Sequence, residues 1–186
     1  MNKNPGTFPE PETIRFERLL PGPIERVWDY LIQSELKAKW LSAGDVEPRV
    51  GGKVELRFQH KNLSDTDDPV PEKYKHMQDG TYFTGRVTKS EPPRLLSYTW
   101  GEESGEDSEV TFELIPKGDK VHLVLTHRLL GDDPVILISV ASGWHTHLDI
   151  LSDRLNGKEP QGFWKVHNRM EEEYKKLINS INHPNG

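Results

Sequence analysis

The assignment of the fold depends on SGWHTHLDILSDRLNG, residues 142–157. Its apolar residues follow one another at spacings of four, three and four, the pattern of one buried face of an α-helix. Asp132 or Asp133 can cap this helix with Pro134 in its first position, and Gly157 can end it. The sequence therefore predicts a long helix from about residue 133 to 157. The residues of its apolar face are Trp144, Leu148, Leu151 and Leu155.

Two histidines in this segment raise the question of a metal or catalytic site. Side chains two residues apart on a helix point about 200° away from each other, so His145 and His147 cannot ligate one metal together. His147 lies three residues after Trp144 and can share the apolar face. His145 is expected on the flank, outside that face, where Asp149 can pair with it. We therefore predict no metal site and no resident cofactor.

The chain before this helix begins with one strand and two short helices. TIRFERLL, residues 13–20, alternates as a strand does. PIERVWDYLIQ and SELKAKWL, residues 23–33 and 34–41, have helical spacing. About six strands follow. Among them, residues 45–58 are predicted to form a hairpin that turns at Gly51-Gly52, and residues 110–127 a second hairpin.

Together these elements predict an α+β fold. Consecutive strands joined by short turns favour an antiparallel sheet, here of about six to seven strands, and such a sheet can present one apolar face. The long helix near the C-terminus is the obvious cover for that face.

Two segments lie outside this scheme. Residues 60–79 are polar and contain two prolines, which predicts a long loop or insertion, and loops of this length are often functional or mobile. Residues 163–181 predict an additional amphipathic helix. We therefore divide the chain into a flexible N-terminal arm (1–12), a single domain (13–157) and a C-terminal helical extension (158–186).

Composition excludes several classes of protein. The chain has 186 residues, a net charge of −6 and no long run of Lys or Arg, which argues against nucleic-acid binding. It has no cysteine, so disulfides and thiolate chemistry are excluded. The N-terminus lacks the apolar stretch of a signal peptide, and no run is long enough to cross a bilayer. These features predict a cytoplasmic protein. Phosphate-binding, dinucleotide-binding and zinc-binding motifs do not occur.

The order of elements and several motifs resemble the START / Bet v 1-like (SRPBCC) superfamily, and most closely the homologues of the activator of heat-shock-protein-90 ATPase. The resemblance spans about residues 13–157. It implies a helix-grip fold, in which a curved antiparallel sheet wraps around a long C-terminal helix, often with a cavity between them. Because one fold hosts many functions, the resemblance implies no particular reaction. The motifs are PIERVWDYLIQSELKAKW, VGGKVELRF, GRVTKSEPPRLLSYTW, VTFELIPKGDKVHLVLTH and GWHTHLDILSDRLNG.

His127 ends a strand whose other inward residues are apolar. A polar side chain on such a face must find a partner or meet solvent. One interpretation is a hydrogen-bonded histidine of the core or its rim, paired with Tyr98 or with the helix. The others are a polar contact to a ligand or, in an enzyme, a general base.

Strand parity and helical spacing allow a set of aromatic residues to share one interior. Core packing explains them, and so does a small-molecule pocket, because such pockets are mostly apolar with a few placed polar groups. In the second interpretation Tyr98, His127 and His147 fix the orientation of the ligand. The complete candidate ligand-binding set is Trp28, Trp40, Phe58, Tyr98, Trp100, Phe112, His127, Trp144 and His147.

Three functions are compatible with these features. The first is a protein that binds a small hydrophobic or amphipathic molecule in a cavity between helix and sheet, with a stress-related or regulatory role. The second, which the family name implies, is a co-chaperone-like module that contacts a chaperone through residues 60–79 and the acidic segments 64–68 and 102–109. The third is a cyclase- or hydrolase-type enzyme that uses His127, although no catalytic set is assigned. The extension also allows a homodimer, the commonest oligomer.

Overall fold

The computed structural model describes residues 4–101 and 108–182. Six strands and four α-helices follow one another in the order β1, α1, α2, β2 to β6, α3 and α4. The strands are β1 (Ile14–Pro21), β2 (Lys53–Phe58), β3 (Thr81–Glu91), β4 (Leu95–Thr99), β5 (Glu109–Lys117) and β6 (Lys120–Arg128). The helices are α1 (Ile24–Ile32), α2 (Ser34–Lys37), α3 (Pro134–Leu155) and α4 (Phe163–Asn182).

All six strands form one antiparallel sheet in the order β1-β6-β5-β4-β3-β2. The sheet is curved and unclosed, which confirms the predicted α+β helix-grip fold with two short helices after the first strand. Alternation explains the strands: in β1, Ile14, Phe16, Arg18 and Leu20 are buried and the residues between them are exposed. The 110–127 hairpin is formed as predicted, by β5 and β6.

The predicted hairpin of residues 45–58 is only partly present. Lys53–Phe58 forms a strand, but its other arm makes isolated bridges, at Ala43 with Arg57 and at Val46 with Val54. Gly44 between those bridges has a φ of 106°, outside the extended region, which interrupts a continuous ladder. Within residues 4–101 and 108–182 the sheet therefore has six strands and no seventh.

α3 begins where the sequence places its cap. The Asp133 side chain accepts a hydrogen bond from the Val135 backbone N–H at 2.9 Å, and Pro134 occupies the first turn. The apolar face of α3 is buried and packs with the buried face of the sheet in one core. The four apolar residues that predicted the helix, Trp144, Leu148, Leu151 and Leu155, are all buried.

Residues 60–79 fold back onto α4. Two 3₁₀ turns lie within them, at His60–Asn62 and Glu72–Met77. The Asp68 carboxylate accepts hydrogen bonds from the backbone N–H groups of Trp164 and Lys165, which caps the start of α4. The Tyr74 ring stacks on Trp164 at 5.0 Å. We call residues 60–79 and α4 together the added layer.

The described part of the N-terminal arm also contacts this layer. The backbone N–H of Gly6 donates to the Tyr174 hydroxyl at 2.7 Å, and Thr7 bridges to Arg15 of β1. The buried Arg18 guanidinium donates to the Asn4 carbonyl at 2.9 Å. The arm thus links β1 to α4.

Candidate ligand-binding site

The predicted aromatic residues meet between α3 and the sheet. Trp100 of the β4 end is central: its ring centroid lies 5.0 Å from that of Trp144, 5.6 Å from that of His127 and 6.0 Å from that of Phe58. Tyr98, Phe112, Trp40 and His147 extend the same chain of ring contacts. Trp28 is buried in the core but makes no ring contact with the other eight among the described residues. The structure thus joins all of the predicted set except Trp28.

His127 has both ring nitrogens in hydrogen bonds. The Trp144 indole N–H donates to Nδ1 at 2.9 Å, so Nδ1 carries the lone pair and Nε2 carries the proton. Nε2 then donates to the Ser108 hydroxyl at 2.8 Å. Burial lowers the pKa of His127 to about 3. As arranged, the imidazole is neutral and positions Trp144, and it can serve as a base only if one of these bonds breaks.

Among the described residues, the His147 ring makes one hydrogen bond. Its Nδ1 donates to the Trp40 carbonyl at 2.7 Å, which leaves Nε2 as the acceptor of the neutral ring. Burial and the neighbouring His60 lower the pKa of His147 to about 3, although the Trp40 hydrogen bond acts in the opposite direction. His147 therefore offers a hydrogen-bond acceptor.

A small cleft opens beside this histidine. Its volume is about 100 Å³, and it is lined by Leu41, Trp100, Val140, Gly143, Trp144 and His147. Ligand pockets usually measure about 300–1,000 Å³, so the cleft accepts a ring or a branched alkyl group rather than a whole drug-sized molecule. The aromatic side chains themselves occupy the neighbouring core.

Sequence reasoning missed three lining residues, Leu41, Val140 and Gly143. Val140 lies four residues before Trp144, so helical spacing could have placed it on the same face. Gly143 is the more informative residue, because a Cβ built there meets no atom within 4 Å apart from its neighbouring residues and the backbone of its own helix. A glycine inside a helix, next to a tryptophan, was the available signal of open space.

A second group of rings was also missed. His60, Phe163, Trp164 and His167 pack together in the added layer, with the His60 and Phe163 centroids 4.2 Å apart. His60 also lies 5.7 Å from His147, so the two groups are continuous. These contacts join distant parts of the chain, and no local pattern reveals them.

The prediction for His145 was wrong in one respect. His145 does approach Asp149, with 3.5 Å between Nε2 and Oδ2, but its side chain is buried rather than on an open flank. α4 covers that flank, and the Tyr174 hydroxyl lies 2.7 Å from His145 Nδ1. The two histidines thus serve opposite sides of α3.

The described residues, 4–101 and 108–182, contain neither a metal-binding cluster nor a membrane-spanning helix. In these ranges no group of three or more His, Cys, Asp or Glu side chains is placed to hold a metal ion. No helix there combines the length and apolarity needed to cross a membrane. Most of the acidic segment 102–109, predicted as a contact surface, lies outside the described residues.

Comparison with known proteins identifies the family. The model of the family described as "Activator of Hsp90 ATPase homolog 1-like protein" matches residues 21–156. The chain belongs to this family. The match supports a ligand-binding or regulatory module. A comparison with curated proteins found no match.

Solved structures of similar proteins agree with this assignment. A solution NMR structure of a protein from Bordetella parapertussis is 41% identical, covers 91% of this chain and 88% of its own, and has a TM-score of 0.76. CalU16 from Micromonospora echinospora is 22% identical, with 89% and 88% coverage and a TM-score of 0.65. A protein from Mesorhizobium loti is 24% identical, with 78% and 96% coverage and a TM-score of 0.59. The last two show the fold alone.

Proposed function

We propose that this family member binds a small apolar or amphipathic molecule, which inserts one ring or branched alkyl group into the cleft between α3 and the end of β4. The observation that carries the proposal is the cleft itself, where Trp100, Trp144 and His147 meet beside Gly143. Apolar walls with one placed polar group are typical of small-molecule sites.

Each wall has a separate role in this proposal. Trp144 is fixed by its hydrogen bond to His127, so its ring presents a rigid face to the ligand. Trp100 is half-buried, contacts the Trp144 ring and forms an adjacent, more accessible wall. His147 is the one polar wall residue with an acceptor nitrogen, so it favours a ligand with a hydroxyl or N–H group near its apolar end.

The size of the cleft limits the inserted group. An engineered cavity of about 150 Å³ in another protein binds benzene, so a space of about 100 Å³ suits one ring with modest movement of its walls. The rest of the ligand would lie along the outer face of α3, where Ile136 is 46% exposed and Val140 is half-buried. The hydrophobic contribution is about 25 cal/mol for each Å² of apolar surface removed from water, before the costs of association.

The experiment asks whether a side chain placed in the cleft prevents small apolar probes from binding there. We expect indole, toluene and cyclohexanol to shift the backbone amide NMR signals of Val140, Trp144 and His147 in the parent protein. A Gly143→Leu variant places a side chain in the open space and should abolish these shifts. Gly143→Ala adds only one methyl group at the same position and is the matched control, expected to retain binding.

Two outcomes would end the proposal. One is the absence of any probe-dependent shift around the cleft in a folded parent protein. The other is unchanged binding in Gly143→Leu, since a filled cleft cannot hold the same group. Native mass spectrometry of the parent and Gly143→Leu proteins, purified from the same cells, extends the test to compounds that co-purify.

A further inference from the structure

A second concavity lies at the N-terminal end of α3 and shares no lining residue with the cleft. It has a volume of about 380 Å³ and is bounded by the N-terminal arm, the first turns of α3 and the end of α4. Phe8, Leu137, Ile178 and Ile181 form its apolar base. Ile181 is 51% exposed, so apolar surface is open to solvent here. We call this concavity the arm groove.

The arm groove is distinct from the cleft of the helix-grip domain. Its lining residues 8–12 and 178–182 lie outside the stretch 21–156 that the family model matches. Only Asp132, just before α3, and Pro134 and Leu137, in its first turns, come from within that stretch. The groove is therefore a product of the additional segments at the two ends of the chain.

The rim of the arm groove is acidic. Glu10, Glu12 and Asp132 line it, and none of its lining residues is Lys or Arg. Across residues 4–101 and 108–182, no ion pair involves any of these three carboxylates. An apolar base beneath uncompensated negative charge is complementary to a molecule with an apolar body and a positive end.

The backbone at the groove is unusual as well. Glu12 and Leu129 have φ angles of 60° and 61°, the only positive values for residues other than glycine in the described chain. They flank a hydrogen bond of 3.1 Å from the Leu130 N–H to the Glu12 carbonyl, which ties the arm to the segment before α3. Non-glycine residues adopt this conformation only where the surrounding structure holds them, and such residues cluster at functional sites.

We propose that the arm groove binds a small amphipathic organic cation, with its apolar body on Phe8, Leu137 and Ile181 and its charged end at Glu10, Glu12 and Asp132. The volume lies in the range of about 300–1,000 Å³ that small-molecule sites occupy, which favours a compact ligand over a long peptide. Because the carboxylates are at the surface, their attraction is screened by salt.

The test compares three probes that share one eight-carbon tail: octyltrimethylammonium, octanol and octanoate. We expect the cation to bind about tenfold more tightly than octanoate at low ionic strength, with octanol between them, since each exposed charge contact contributes about two- to fivefold. Amide NMR shifts should map the cation to Glu12, Leu137 and Ile181. Added sodium chloride should weaken binding of the cation and leave binding of octanol unchanged.

Variants separate charge from apolar contact. Glu10→Gln, Glu12→Gln and Asp132→Asn combined should remove the preference for the cation and leave octanol binding intact. Ile181→Lys should weaken binding of the cation. Ile115→Lys is the matched control, at a position 45% exposed on β5, and should not change that binding. Equal binding of the three probes, shifts that map elsewhere, or a preference that survives in the triple variant would each overturn the proposal. Gly143→Leu, which fills the cleft, should leave this binding unchanged.

Discussion

The interior of the helix-grip domain and the added layer are both rich in aromatic and histidine side chains, but they differ in whether their buried polar atoms are hydrogen-bonded. In the interior, the Trp144 N–H is bonded to His127, and His127 to Ser108. In the added layer, His60 Nδ1, His167 Nδ1 and Trp164 Nε1 are buried without a hydrogen-bond partner among the described residues. Arg18 Nε and Nη2 share this state, where β1 meets the N-terminal arm. Unpaired buried polar groups cost free energy, so we infer that the added layer is the less stable of the two.

Acidification should give the largest effect, because both regions hold buried neutral histidines and the added layer starts from the lower stability. Burial lowers the pKa of His60 to about 4, with a smaller contribution from His167, and burial lowers the pKa of His167 to about 4. Glu171 acts in the opposite direction on His167, and Lys73 acts with burial. The pKa values of His127 and His147 are lowered further, to about 3. All four imidazoles are thus held neutral in the folded protein.

The sign of the pH effect follows from these pKa values. The unfolded chain binds protons near pH 6.5 and the folded protein only near pH 3–4, so the free energy of unfolding falls as pH falls through this window. Each buried histidine contributes about 2 kcal/mol of destabilisation at pH 5, as an upper bound. Hydrogen exchange from pH 7 to pH 5 should show α4 amides losing protection before those of β5 and β6.

One substitution tests this origin of the pH dependence. His60→Phe keeps the ring that packs on Phe163 and removes a titrating group, so it should reduce the loss of stability between pH 7 and pH 5. His76→Asn changes an exposed histidine of the same segment and is the control, expected to follow the parent. If hydrogen-exchange protection falls together in both regions, or first in the sheet, the added layer is not the less stable of the two.

The next largest difference should come from replacing one tryptophan in each region with phenylalanine and comparing the free energies of unfolding. Trp144→Phe leaves His127 Nδ1 buried without its donor, whereas Trp164→Phe removes an N–H that has no partner in the part of the chain that the structure describes. Both variants lose ring volume, so the difference isolates the hydrogen bond. We expect Trp144→Phe to lower the free energy of unfolding by about 1–3 kcal/mol more than Trp164→Phe.

Urea denaturation of the two variants measures this difference. Both side chains are almost fully buried, with exposed fractions of 3% and 2%, so the comparison is matched in burial. The amide and ring NMR signals of His127 should shift in Trp144→Phe and stay unchanged in Trp164→Phe. Equal losses of stability would mean that ring packing, rather than hydrogen bonding, dominates in both regions.

The interior was predictable because its signals are local. The spacing of Trp144, Leu148 and Leu151 predicts α3, and alternation in residues 110–127 predicts β5 and β6, so the fold follows from short stretches of chain. The same patterns placed eight of the nine candidate residues in one group of ring contacts. Trp28 shares the helical spacing and is buried in the same core, but among the described residues it makes no ring contact with the other eight, since spacing gives the face of a helix and not its neighbours.

The added layer was not predictable, because its contacts are between distant residues. Residues 60–79 have no regular pattern of apolar residues, and their order comes from α4, which follows about a hundred residues later. His145 was misplaced for the same reason: its flank of α3 is covered by Tyr174 of α4. The size of the cleft likewise depends on how the rings pack, which residue types alone do not determine.

The smallest effect should come from the cap between the two parts of the added layer. Asp68→Ala removes the acceptor for the backbone N–H groups of Trp164 and Lys165, which we expect to cost about 1 kcal/mol, the usual value of an N-cap. Asp67→Ala, one residue earlier, is the control for loss of a carboxylate. Hydrogen exchange should show faster local opening at the start of α4 in Asp68→Ala, with the sheet unchanged. If the sheet opened equally, the added layer and the interior would be one cooperative unit, and the contrast drawn between them would not hold.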